Sequence, residues 1–187
     1  MIGLIIGLVL LGIVIIVICM GIGIYNSLIS LRTKAEEGFS TMDVYMKKRY
    51  DLIPNIVATI KGYAKHEKDV FKEVVELRGK ALNSSSDSEK IQNDGELTKA
   101  IGRLFAVAEA YPELKADKNF LDLQSTLKQI EAEIAESRKY YNAIVRDYNI
   151  KIQSFPSNVV AKMFKFSKKT LYELDNLEER KNVKVEF

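Results

Sequence analysis

The sequence predicts an all-α protein, with an N-terminal transmembrane helix followed by an elongated antiparallel four-helix bundle. Three observations predict it. No charged residue occurs from Met1 to Ile24, and every Lys, Arg, Asp and Glu lies from Arg32 onward. Beyond that point apolar residues recur at three- and four-residue spacings, the period of a helix. No run alternates apolar and polar residues between turn dipeptides, so little sheet is expected.

The first element is Ile2–Ile24, IGLIIGLVLLGIVIIVICMGIGI, 23 residues without a proline. At about 1.5 Å per residue it reaches roughly 35 Å as a helix, enough for a hydrocarbon core about 30 Å thick. A cleaved signal peptide needs a basic leading region and a shorter apolar core. Here no Lys or Arg precedes the run. A lipoprotein site at Cys19 needs a small residue before it, and Ile18 is not small. Residues 1–25 are therefore expected to be a retained anchor with a very short leading segment. Arg32 and Lys34, then Lys47, Lys48 and Arg49, come after the span and none precedes it. The positive-inside rule then puts the N-terminus outside and the large domain in the cytoplasm. Cys19 is the single cysteine. It permits no intrachain disulfide and is read as a small apolar side chain.

Tyr25–Leu31 joins the span to the charged part of the chain without Pro, Gly or a polar linker, and Leu28, Leu31, Ala35, Met42 and Met46 continue the helical period. One helix is expected to leave the membrane and enter the bundle, holding the domain at a restricted angle to the bilayer. Pro54 lacks an N–H and clashes with the preceding turn, so a kink or restart is expected near Asp51–Pro54. A second helix is expected over Glu67–Leu82, and the NSSSDS stretch at Asn83–Ser88 reads as a loop. A third helix covers Glu89–Glu109, stopped by Tyr111-Pro112. Asn119 is the expected N-cap of a fourth. Its seam is Leu123, Leu127, Ile130, Ile134, Ser137, Tyr141, Ile144 and Tyr148, alternating by four and three. Phe155-Pro156 stops it, and a short helical piece is expected over Asn158–Phe164. Residues 26–165 form the expected bundle, and 166–187 a charged, loosely ordered tail.

Little in the soluble part suggests catalysis. His66 is the single histidine, and with no cysteine beyond the span a zinc site is not expected. No Glu-x-x-His pair of the di-iron bundles occurs. There is no P-loop and no nucleophile elbow. No catalytic, cofactor-binding or metal-ligating residue is assigned, and no cofactor is expected. The formal net charge of +3 and the lack of a recognition motif argue against nucleic acid. Two basic clusters are candidate contacts for lipid headgroups: Lys47, Lys48 and Arg49, and Lys162, Lys165, Lys168 and Lys169. Each Lys or Arg near an anionic surface contributes about 1 kcal/mol. Gly3-x-x-x-Gly7 matches the small-residue contact of paired membrane helices.

Several longer strings carry a resemblance. They are Tyr50–Tyr63, YDLIPNIVATIKGY, running on into Ala64-Lys65-His66-Glu67; Arg103–Lys115, RLFAVAEAYPELK; and Asn119–Gln124, NFLDLQ. Tyr140-Tyr141-Asn142, Tyr148-Asn149 and Phe155-Pro156-Ser157 come after them. With the N-terminal span, these resemble the LemA family of bacterial membrane proteins over nearly the whole chain. The resemblance implies a single-pass cell-membrane protein with an antiparallel helical bundle in the cytoplasm. It implies no catalytic residues. Pro54 and Pro112 have structural readings as kink and stop, Tyr141 and Tyr148 as seam, Arg103 and Asp51 as ion-pair partners.

The expected function is a non-catalytic scaffold or interaction protein at the cytoplasmic membrane. Its expected partners are the bilayer, further copies of itself through transmembrane and bundle helices, and a protein not identified by the sequence. The competing expectation is a small-ligand binder or enzyme with a pocket inside the bundle.

Overall fold

A computed structural model of the chain describes residues 1–173. Along them run α1 (Ile2–Tyr63), α2 (Lys68–Leu82), α3 (Asp87–Glu109), α4 (Pro112–Lys115), α5 (Lys118–Gln153) and α6 (Ser157–Met163), with no strand among the described residues. The chain divides into two compact units. The first holds Met1–Ser40 and Arg138–Leu171; the second holds Thr41–Ser137 and, of the described residues beyond them, Tyr172 and Glu173. The two longest helices, α1 and α5, each contribute to both units.

α1 does not restart at Pro54: its 62 residues form one helix with the proline inside. A proline at that position leaves the carbonyl four residues earlier, that of Tyr50, without its helical N–H. The Arg78 Nε on α2 donates to that carbonyl at 2.6 Å. The side chain thus replaces the bond the proline removes, and the helix runs on to Tyr63.

The second unit is the antiparallel four-helix arrangement the periodicities predict. Tyr63 donates to Asp117 and Arg49 to Glu131, so contacts move backward along α5 as they move forward along α1. Arg103 pairs with Glu73, and Asn93 donates to the Lys80 carbonyl, which sets α3 against α2 in the same sense. The core is made by Met42, Met46, Ile53, Ile56 and Ile60 of α1 with Phe71, Val74, Leu97, Leu104, Leu127 and Ile134. Each such side chain contributes about 1.5–3 kcal/mol when fully buried.

Helix ends are set by identifiable caps. Ser86, not a residue nearer Glu89, starts α3: its hydroxyl accepts from the Glu89 N–H at 3.2 Å. Glu89 in return accepts from the Ser85 N–H at 2.8 Å, close to a capping box. For α5 the cap is Asp117 and not the expected Asn119. Asp117 Oδ1 accepts from the Phe120 N–H at 2.9 Å and Oδ2 from the Tyr63 hydroxyl at 2.9 Å. These two donors hold the Asp117 carboxyl below its ordinary pKa, the backbone N–H contributing most.

On α5 the seam is buried at Leu127, Ile134, Ser137, Tyr141 and Tyr148, but Val145 takes the position expected of Ile144. A straight helix drifts about 20° per heptad from a strict seven-residue repeat. That drift favours a residue one place later as the seam lengthens.

In the first unit α1 and α5 again run antiparallel. Phe39 meets the Tyr141 ring at 5.6 Å, and Lys151 donates to the Ser27 hydroxyl. Gly38 packs against this face of α5, where a Cβ would make van der Waals contact with the Tyr140 ring at 3.4 Å. Leu28, Tyr148, Val160 and Ala161 form the core, with Ile24, Tyr25, Leu31, Ile152 and Phe166 packed around it. α6 ends in a Schellman turn. The Phe166 N–H reaches the Ala161 carbonyl at 2.9 Å and the Lys165 N–H the Lys162 carbonyl at 3.2 Å. Lys165 takes the left-handed position, φ 57°, where glycine is usual.

Residues 166–173, expected as part of a loose tail, have no regular secondary structure but are specifically held. Asn149 donates to the Lys169 carbonyl at 2.9 Å and accepts from the Lys169 N–H at 3.0 Å. Tyr141 donates to the Thr170 carbonyl at 2.8 Å. The remainder of that expected tail, 174–187, lies outside the described residues.

Replacing Arg78 by Ala should cost about 1–3 kcal/mol, the range for an unsatisfied buried acceptor. With Pro54→Ala in place the backbone N–H at position 54 supplies the missing donor, so the cost of Arg78→Ala should fall by more than half. Denaturant unfolding of the four variants in detergent checks this, and equal costs in both backgrounds would refute the substitution of side chain for backbone.

Candidate functional site

The two buried charged residues, Arg49 and Asp94, both lie in the second unit. Consecutive helix residues turn by about 100°, so Lys47, Lys48 and Arg49 cannot share one face. Lys47 is exposed and pairs with Asp51 at 2.6 Å. Lys48 is exposed, its ammonium 5.0 Å from the Tyr45 ring centre. Arg49 departs from the expected surface cluster: it lies three residues after Met46 and four before Ile53, on the core stripe, and is 1% exposed. Its guanidinium cannot reach a headgroup.

That guanidinium pairs with Asp94 through Nη2. Its Nη1 donates to Glu131 at 2.7 Å and to the Thr98 hydroxyl at 3.1 Å. Asp94 is fully buried and takes two further donors. The Tyr50 hydroxyl donates to Oδ1 at 2.7 Å and the Tyr172 hydroxyl to Oδ2. Burial alone would weaken the charge on Arg49, but Asp94 and Glu131 outweigh it and hold the group more firmly protonated than usual. Burial, reinforced by Asp94, pushes the Tyr50 hydroxyl well above its ordinary pKa, so it stays a donor.

None of Asp94, Glu131 or Tyr172 stands out in the sequence reading. A signal for Asp94 exists: Ile91, Asp94, Leu97, Ile101 and Leu104 fall on one apolar stripe, and a carboxylate there demands a cation. Tyr172 gives no such signal, because it lies beyond α6 in a segment without helical periodicity.

The second basic cluster lies in the first unit. Lys162, Lys165 and Lys168 are exposed. Lys169 is turned inward to Glu36 at 3.3 Å. Beside these lysines Val159 and Met163 of α6, and Phe164 just after it, are exposed. An apolar groove of about 550 Å³ separates α6 from Val17–Tyr25 of α1. At its mouth the Tyr25 ring lies 4.6 Å from that of Phe164 and 5.7 Å from that of Phe166, with Arg32 over Phe166 at 5.6 Å.

Along α1 from Ile2 to Ile22 every large apolar side chain is at least 51% exposed. The helix is long and apolar enough to cross a membrane, and the window that qualifies it is 0% buried. Cys19, read as a small apolar residue, stands exposed on this span.

Removing Asp94 leaves Arg49 charged, buried and short of its main partner, a change that typically costs 3–5 kcal/mol. Asp94→Ala should therefore destabilise the chain by about that amount, whereas Arg49→Met combined with Asp94→Leu should cost less than Asp94→Ala alone. Denaturant midpoints of the two variants decide it.

The comparisons with known proteins fit this picture. Residues 38–187 match the LemA family. Magnetosome protein MamQ 2 of Paramagnetospirillum magneticum is 26% identical over 163 residues, covering 73% of this chain and 60% of that protein. Protein LemA of Metamycoplasma hominis is 23% identical over 158 residues, covering 84% of this chain and 72% of that protein. Magnetosome protein MamQ of Magnetospirillum gryphiswaldense is 25% identical over 171 residues, covering 77% of this chain and 62% of that protein. The chain spans about 60% of the length of the MamQ relatives it matches. With its exposed apolar N-terminal helix, and with further helices but no strand among the described residues, the chain is a membrane protein that belongs to the LemA family.

Proposed function

We propose that the protein is a non-catalytic scaffold, anchored by α1 with its N-terminus outside and the remaining helices in the cytoplasm, and self-associating in the bilayer. The observation that carries the reading is the uncharged span, whose large apolar side chains from Ile2 to Ile22 are all more than half exposed. Such a surface needs lipid or another apolar helix to cover it. The polar interior supports the non-catalytic part. Arg49, Asp94 and Tyr50 are turned inward and bonded to one another, and both Arg49 and Asp94 are at most 1% exposed, so their charges are not presented to a substrate in solution.

Arg32 and Lys34 after the span support the orientation. Lys162, Lys165 and Lys168, in the same unit as the end of the span, add affinity for the anionic cytoplasmic leaflet. Self-association is supported by Gly3 and Gly7, which face open space at the spacing of helix pairs.

One observation favours a ligand-binding reading. An open groove of about 580 Å³ between α1 and α5 of the second unit is lined by Tyr45, Lys48, Asp51, Asn55, Gln129 and Glu133. The groove is shallow and open, and so weaker support than an enclosed pocket.

A periplasm-type phosphatase reporter fused after Phe187 should be silent, and an active fusion would refute the orientation. Mass measurement of the full chain in lipid nanodiscs should give more than one copy per disc, falling towards one for Gly3→Ile with Gly7→Ile. A strict monomer in the parent chain would remove self-association from the proposal.

A further inference from the structure

We propose that α6 and the residues flanking it are a second membrane contact, inserted into the leaflet where α1 leaves the bilayer, with lipid acyl chains filling the groove between α6 and α1. This inference rests on the reading of α1 as an anchor.

α6 is seven residues long and apolar on two sides. Its inner side, Val160 and Ala161, packs on Leu28 and Tyr148. Its outer side carries Val159, 58% exposed, and Met163, 67% exposed, four residues apart. Phe155, before the helix, is 84% exposed, and Phe164, after it, 51%. An outward row of large apolar side chains on a short, firmly held helix has no place in water.

The groove's opposite wall decides which medium covers that row. Val17, Gly21 and Tyr25 of α1 form it, facing Val159, Met163 and Phe164. Val17 and Gly21 belong to the uncharged stretch. Any occupant must therefore sit at the depth of the last turns of the span, where the surrounding medium is acyl chain. The outer wall is the same chemistry as the span and continuous with it.

The polar groups fit the same depth. Lys162, Lys165 and Lys168 are exposed around the end of α6. A lysine can bury its methylenes in the apolar layer and raise its ammonium to the headgroups. Tyr25, an amphipathic ring of the kind that favours the membrane–water boundary, packs on Phe164 and Phe166 at the end of the span. An apolar face with lysines at its margin is the composition of an interfacial helix, buried about 5–10 Å into the headgroup boundary.

The chain contains no tryptophan, so a single one reports without ambiguity. Met163→Trp, Phe164→Trp and, as a marker of the span, Leu10→Trp are placed singly in the full chain. Each is reconstituted into phosphatidylcholine–phosphatidylglycerol vesicles whose acyl chains are brominated either near the headgroup or near the bilayer centre. Shallow bromines should quench at least half of the Met163→Trp and Phe164→Trp emission, while deep bromines quench Leu10→Trp. If Leu10→Trp is quenched and the other two stay solvent-like and bright, the anchor stands and the inference fails. If those two emit from an apolar environment yet escape quenching, a protein surface covers α6 and the lipid assignment is overturned. If Leu10→Trp also escapes, the anchor reading fails and this one with it.

Discussion

The second unit depends on one carboxylate. Asp94 receives Arg49 and Tyr50 on one oxygen and Tyr172 on the other. Arg49 then reaches on to Glu131. Through these bonds α3 is tied to α1, to the segment after α6 and, at one remove, to α5. An isolated buried charge costs several kcal/mol, and only a complete set of partners offsets it. Apolar side chains tolerate sliding; this set does not. A slip of α1 by one turn, about 5.4 Å, would take both Arg49 and Tyr50 from Asp94 together. The cluster therefore selects one register among the many that a greasy four-helix core would accept. It also bears on function. Three of the carboxylate's roughly four acceptor positions are used, and none faces solvent.

The same logic operates on the backbone. Pro54 removes a hydrogen bond in the middle of α1, which in water would be met by solvent and in a packed helix is not. Arg78 meets it instead. The neighbouring residues Arg49 and Tyr50 are held by their side chains, and the Tyr50 carbonyl by α2. A short stretch of α1 is thus fixed by α2, α3 and α5 at once, which is how a proline can sit inside a helix of 62 residues without ending it.

Much of this is legible from residue order alone. The span, the helix identities and the stop at Pro112 derive from hydropathy, spacing and missing N–H groups, which are local. The illegible part is long-range. Pro54 reads as a break because its remedy lies 24 positions away at Arg78. Arg49 reads as one of three surface cations, although its phase with Met46 and Ile53 already points inward. Asp94 sits on an apolar stripe, but its partners come from separate elements and Tyr172 from a segment with no pattern. Val145 displaces Ile144 because a seam read as a strict heptad ignores the drift of a straight helix.

Basic residues near one another in sequence therefore mean different things once folded. Arg49 is neutralised inside a core, and Lys169 is turned to Glu36. Lys162, on a short helix that presents apolar side chains outward, and Lys165 and Lys168, just after it, stay exposed. The distinction is made by neighbours and not by charge. The family match covers residues 38–187, which includes the ion cluster and α6 but begins after the span. The span supplies the membrane location, and the ion cluster around the buried Arg49 and Asp94 fixes the register of the second unit's helices. That leaves the outward surfaces, α6 foremost, as the apolar and basic surface still open to other molecules among the described residues.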